Sequence, residues 1–212
     1  MPLQALQLLE KKIEKQIRLF EAKKGIRLDD EMRFIRSVIE KPLVIGAVAP
    51  SSRLLARTIA RYVDPETTGP VVELGPGTGP VTEALLRQGI AADRLVLVEF
   101  NPHFCQILRR RYPQASVVQG DAYRLGHTLD GLLRQPAAAV VSSLPLVLKP
   151  LRVRLQLLRD ALELLWPGAP FVQFTYSVVP PIPRKVAGVR TEASARIWLN
   201  LPPARVWTYR RD

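Results

Sequence analysis

Between Val71 and Gly79 the chain reads V-V-E-L-G-P-G-T-G. An acid, Glu73, precedes three glycines at alternate positions, Gly75, Gly77 and Gly79, with Pro76 between the first two. Glycines so spaced let the backbone turn sharply and approach a ligand closely, because no Cβ intervenes. A helix opening at Pro80 would then offer free N–H groups and a partial positive charge to an anionic group. The stretch R-L-V-L-V-E ends in a second acid, Glu99, followed by Phe100 and Asn101. Its distance from the glycines is that at which a nucleoside-binding fold places a carboxylate for both ribose hydroxyls. A third acid, Asp121, follows V-V-Q-G and precedes Ala122. It is either a second ligand acceptor or the N-cap of the next helix.

Such residues need a sheet to bring them to one edge. Strands are expected at Val71–Leu74, Leu95–Glu99, Ser116–Gln119, Ala138–Ser142 and Phe171–Tyr176, with helical patterns between them, the first over Pro80–Gln88. Alternating strands and helices give an α/β fold with a parallel, doubly wound sheet. Ala193–Leu201 and Arg205–Arg210 are β-rich without an intervening helix, and Leu201-Pro-Pro-Ala204 is a turn signal. They read as an antiparallel hairpin closing the sheet.

Ahead of this core, Leu3–Lys24 is amphipathic, with Leu6, Leu9, Ile13, Ile17 and Phe20 at spacings of three and four. Lys11, Lys12, Lys15 and Arg18 lie off that stripe, so the helix either packs on protein or lies in a membrane interface with its cations on lipid phosphates. A second helix is expected at Glu31–Glu40, then an apolar segment, Val44–Ser52, that should cover a ligand, then a helix at Arg53–Tyr62. The chain divides at residue 63 into N-terminal helices (1–63) and a core (64–212).

Composition narrows the partners. With 31 Lys plus Arg against 19 Asp plus Glu, the net charge of +12 favours a polyanion, either nucleic acid or an anionic membrane. A single cysteine, Cys105, excludes an internal disulfide and a cysteine-ligated zinc site, and no metal is expected. Neither Pro42–Pro50 nor Ala137–Leu148 reaches the ~20 residues of a spanning helix. A cytoplasmic protein, soluble or peripheral, is expected.

The series E-L-G-P-G-T-G, V-E-F-N-P and Q-G-D-A-Y resembles the motifs of class I S-adenosylmethionine-dependent methyltransferases over Val71 to Tyr176. The resemblance implies their Rossmann-like sheet with its antiparallel C-terminal hairpin, and S-adenosyl-L-methionine as cofactor. Gly75, Gly77 and Gly79 would then approach its methionine part and ribose, Glu73 its amino group, Glu99 the ribose hydroxyls, and Asp121 with Ala122 the adenine amine. Pro76, Phe100, Asn101 and Ser142 complete the expected cofactor set.

Two relatives compete over the acceptor. Strand 4 ends S-S-L-P-L, Ser142 to Leu146, where methyltransferases of exocyclic adenine nitrogens carry Asn/Asp-x-Pro-aromatic. Leu146 has no π-face to stack on a flipped base. That departs from the ribosomal RNA adenine dimethyltransferases, to which the chain is otherwise similar, and leaves an RNA adenine N6-methyltransferase as the alternative. F-I-R-S-V-I-E-K-P-L-V-I-G-A-V-A-P-S-S, S-S-L-P and Q-F-T-Y-S are similar to the bacterial phospholipid N-methyltransferases over Phe34 to Tyr176. That resemblance implies methylation of phosphatidylethanolamine and its methylated derivatives toward phosphatidylcholine, by a protein peripheral to the inner face of the membrane.

For this chemistry Tyr176 is the catalytic candidate, to orient the amine or relay its proton, and Arg184 and Lys185 are candidates for the lipid phosphate. Phe34, Tyr123 and Tyr176 could form an aromatic cage for a methylated cation.

Overall fold

The computed structural model describes residues 50–200 and 203–212. Leu3–Lys24, with Lys11, Lys12, Lys15, Arg18 and Phe20, lies outside the described residues, as do Phe34 and the helix expected at Glu31–Glu40.

Helix α1 (Pro50–Ala60) leads to β1 (Val71–Leu74), α2 (Pro80–Arg87), β2 (Leu95–Glu99), α3 (Pro102–Arg111) and β3 (Ser116–Gln119). A one-turn α4 (Leu125–Thr128), β4 (Ala139–Ser142), α5 (Leu151–Leu164) and β5 (Phe171–Thr175) follow, then β6 (Val189–Ala193) and β7 (Arg205–Arg211). Among the described residues, seven strands form one sheet in the order β3-β2-β1-β4-β5-β7-β6. The first five pair in parallel, and β7 runs antiparallel to both β5 and β6.

Strands β1, β2 and β4 are near-continuous apolar runs because they are buried on both faces, as parallel strands covered by helices must be. One face packs Val71, Leu95, Leu97 and Val141 under α1, α2 and α3. The other packs Val72, Leu74, Val98 and Val140 against Leu157, Leu158 and Ala161 of α5. Leu55, Ala56, Ile59 and Ala60 of α1 are buried in the first layer. This helix therefore packs on the core, and the rest of the segment 1–63 before it lies outside the described residues.

The hairpin needs a correction. The strand expected at Ala193–Leu201 lies at Val189–Ala193, paired with Arg211 to Trp207 of β7. Residues 194–200 form an irregular connection with one isolated bridge, Ile197 to Ala204. The sequence V-R-T-E-A of β6 is polar because it is an edge strand, half open to solvent. Trp198 and Leu199, whose apolarity suggested a strand, are instead 73% and 82% exposed.

Side chains fasten the loops around β1. Arg94 donates from Nε to the carbonyl of Gly69 (3.0 Å), from Nη1 to that of Pro65 (2.8 Å), and from Nη2 to that of Thr67. The end of α3 braces the glycine turn: Arg111 donates to the Thr78 carbonyl (3.0 Å) and to Glu83 (2.6 Å). The Tyr112 hydroxyl donates to the Gly79 carbonyl (3.0 Å).

Candidate active site

Gly75, Gly77 and Gly79 all have positive φ, which keeps the turn tight enough for the N–H of Gly79 to donate to the Pro76 carbonyl. Two of them also lack room for a side chain. A Cβ on Gly75 would stand 2.9 Å from a methyl of Leu144, and one on Gly79 2.8 Å from the Tyr112 ring. Gly79→Ala should combine left-handed strain of about 1–2 kcal/mol with displacement of Tyr112. Urea unfolding should register a loss of about 2 kcal/mol. An unchanged midpoint would mean that the turn relaxes freely.

At the carboxyl ends of β1 to β4 lies a cavity of about 320 Å3, the volume of a small-molecule site. Gly75, Glu99 and Phe100 line one side, Gly120, Asp121 and Ala122 the next, and Tyr123, Leu144 and Lys149 close it. Sheet order places it between strands leading to opposite faces, the position where open α/β sheets bind ligands.

Glu99 is nearly buried, and its carboxylate organises this edge. Oε2 accepts from the Gly77 N–H (3.0 Å) and Oε1 from the Asn101 N–H (2.8 Å). Each carboxylate oxygen can accept twice, so acceptor capacity remains for two hydroxyls of a ligand. Asp121 lines the cavity and caps the following turn, accepting at Oδ1 from the Tyr123 N–H (2.9 Å). Asn101 serves the fold: its side chain accepts from the His103 N–H to cap α3.

Glu73 lies behind the turn, fully buried, with Oε2 accepting from the Thr82 hydroxyl (2.7 Å). Its other oxygen is buried without a partner. Burial raises its pKa from 4.5 to about 7; hydrogen bonds from Thr82 oppose this, and the charge of Glu99 adds to it. The orphaned oxygen is an open acceptor that suits a cationic amino group, although Glu73 is not among the residues that line the cavity.

Ser142 is fully buried, and its hydroxyl accepts from the Leu144 N–H (3.3 Å). It shapes the bend after β4 and is not part of the cavity wall. Gln173, on the neighbouring strand, donates to the carbonyls of Leu144 (3.0 Å) and Phe174 (2.7 Å). Leu144 is thus held at both backbone groups while its side chain covers Gly75. Two carbonyl partners fix the amide orientation of Gln173 and leave its Oε1 buried without a partner.

Sequence reasoning missed Gln173 and Leu144, whose roles depend on the pairing of β4 with β5. It missed Lys149 too, whose ammonium lies 4.6 Å from the centre of the Tyr123 ring. Tyr123 is pushed up to about 12 by burial and by the charge of Asp121.

Tyr176 lies past β5 on the α1 side, edge-on to Phe174 (5.4 Å) and outside the cavity wall. Burial raises its pKa against a hydrogen bond from Asn200, so it is a neutral hydroxyl at physiological pH. Tyr123 follows β3, four strand positions from β5, a separation of about 19 Å at normal spacing. The two tyrosines do not form one cage.

Arg184 and Lys185 are exposed on the loop from β5 to β6. That loop returns to Val189, paired with Arg211 at the amino end of the sheet. Arg184 stacks over Trp207 (5.0 Å), and Lys185 borders a separate groove of about 370 Å3 floored by Leu155, Leu158 and Leu162. The two linings share no residue, so these cations do not join the cavity at the carboxyl ends of the strands.

The Ribosomal RNA adenine dimethylase family profile matches residues 51–144. An ornithine lipid N-methyltransferase from Singulisphaera acidiphila is 32% identical over 151 residues, 70% of this chain and 79% of that protein. A ribosomal RNA small subunit methyltransferase A from a Synechococcus species is 35% identical over 96 residues, covering 44% of this chain and 31% of that protein. An O-methyltransferase from Bacillus cereus, solved in complex with SAH, shares the fold at a TM-score of 0.59 and 13% identity, over 93% of this chain and 97% of that one. The chain belongs to the S-adenosylmethionine-dependent methyltransferase family that includes the ornithine lipid enzyme and is related to the ribosomal RNA adenine dimethylases, and S-adenosylmethionine is its cofactor.

Proposed function

We propose that the protein methylates the amine of a lipid head group, phosphatidylethanolamine and its methylated derivatives, toward phosphatidylcholine. One observation carries the reading: the lipid N-methyltransferase relative is matched over 79% of its length, against 31% for the ribosomal RNA enzyme. The strand 4 edge supports it. Leu146, where an adenine methyltransferase has its stacking aromatic, is 1% exposed and packed in the core with Leu157 and Leu158.

The cofactor supplies an electrophilic methyl on its sulfonium. The protein must hold the cofactor and present a neutral amine, although an alkylammonium with pKa ~10 is mostly protonated at neutral pH. Glu99, Asp121 and the glycine turn do the holding. Leu144 on the cavity wall gives the amine an apolar neighbour that favours its neutral form. Tyr176 is the group we assign to the amine. Its oxygen accepts from Asn200 and keeps a second lone pair to orient an amine N–H.

Methyl transfer from labelled cofactor tests the reading with three acceptors in parallel: phosphatidylethanolamine vesicles, ornithine lipid vesicles and unmodified ribosomal RNA. Label in phosphatidylethanolamine is expected. Label confined to ornithine lipid would move the head group but keep the class. Label in the RNA, the second reading that the matched family profile and the +12 charge favour, would overturn it. Tyr176→Phe should lower kcat about tenfold, near 1.4 kcal/mol, with KM little changed. A variant as active as the parent would remove Tyr176 from the mechanism.

A further inference from the structure

Among the described residues of the β6–β7 connection, Trp198 and Leu199 are large apolar side chains that stand largely open to solvent. Thr175 pairs with Arg205 and Ala193 with Trp207, so this connection projects from the carboxyl end of the sheet, the end that carries the cofactor cavity. Phe100, 74% exposed on the cavity rim, faces solvent at the same end. Arg196 lies over the Trp198 ring (5.7 Å) and donates to the Ser177 carbonyl (3.5 Å). An indole beside a guanidinium, next to an exposed leucine, has the chemistry of a membrane interface: the ring prefers the headgroup level, the leucine the acyl boundary, the cation a lipid phosphate.

The residue after this tip gives it a mechanical link. Asn200 is 2% exposed and bonds to the Tyr176 hydroxyl. Exposed tip, buried amide and candidate catalytic hydroxyl are therefore consecutive along one short path.

We propose that Trp198 and Leu199 insert into an anionic bilayer and that this insertion, through Asn200, positions Tyr176 at the amine of a membrane-embedded substrate. The coupling to Tyr176 rests on the lipid reading above; the insertion does not. Charge selects this occupant: the chain carries +12, and the tip has a cation against its indole and no acid between Ala193 and Ala204.

The test uses the full chain and vesicles of phosphatidylglycerol with phosphatidylethanolamine, their acyl chains brominated to quench indole fluorescence on contact. The parent should be quenched, and Trp198→Phe, which keeps an apolar ring, should bind vesicles equally but lose most of that quenching. Equal quenching of parent and Trp198→Phe overturns the insertion, whatever the substrate proves to be, and leaves the face to another segment or a second copy. The double variant Trp198→Ser with Leu199→Ser should lose at least tenfold in methyl transfer to vesicle lipid. It should remain within twofold of the parent on a short-chain phosphatidylethanolamine dissolved below its micelle concentration. Loss on both substrates alike would overturn the interfacial role and point to damage at Asn200. A parent inactive on every lipid but still quenched at Trp198 would sink the substrate reading and the coupling while the insertion stands.

Discussion

Glu99→Ala should weaken cofactor binding at least a hundredfold in titration calorimetry, with the sheet intact by circular dichroism. The carboxylate has two duties, and the variant loses both. It accepts from the N–H groups of Gly77 and Asn101, which sets the glycine turn against the end of β2. It also lines the cavity, where we propose that its remaining lone pairs accept from the ribose hydroxyls. Charge-assisted hydrogen bonds are worth roughly 1.5–3 kcal/mol each, so losing two to the ligand alone accounts for a hundredfold or more. Glu99→Gln is the sharper control. An amide has one acceptor oxygen, so either Gly77 or Asn101 would meet an NH2 group and lose its partner. The expected loss is tenfold or more, although the shape is preserved. Cofactor affinity unchanged in both variants would remove the nucleoside assignment from this cavity.

Glu73→Gln should stabilise the unliganded protein at alkaline pH, by up to about 3 kcal/mol at pH 8. Burial places the folded-state pKa at about 7, against 4.5 for an ordinary exposed carboxyl. Between those values the folded protein binds more protons than the unfolded chain. The contribution of this acid to stability therefore falls as pH rises from about 4.5 to about 7, and the full penalty is present above that window. A glutamine keeps an oxygen for the Thr82 hydroxyl and never ionises. Urea unfolding of parent and variant across pH 5 to 8 gives the difference directly: about 1 kcal/mol or less from this acid at pH 5, rising toward pH 8. A difference that does not change with pH would mean that Glu73 is ionised throughout. The same substitution should weaken cofactor binding at pH 8, because a neutral amide replaces the anion proposed to face the amino group.

Much of this edge was legible in sequence because it depends on local chemistry. β1, β2 and β3 have the expected bounds, since each is a short apolar run stopped by glycine or an acid. Glu99, Asp121 and Gly75 line the cavity because each lies at a strand's carboxyl end or within two residues of it. What pairing decides was not legible. Ser142 and Gln173 act on Leu144 only because β4 and β5 are adjacent, and β5 follows β4 by a whole helix. The edge strand β6 lies at Val189–Ala193 rather than Ala193–Leu201, because β-rich patterning at an exposed tip does not by itself make a strand. Arg184 and Lys185 were near the site only in sequence; the turn after β5 carries them toward the opposite end of the sheet.

The lone thiol of the chain has a practical consequence. Cys105 is fully buried on α3, its sulfur 3.4 Å from the Glu99 carbonyl, and burial raises its pKa. A thiol that is neither exposed nor ionised is closed to alkylating reagents until the layer between α3 and β2 opens. The native chain thus carries its own opening clock, wound against the strand that ends in Glu99. An added surface cysteine could be labelled in the folded protein without touching it.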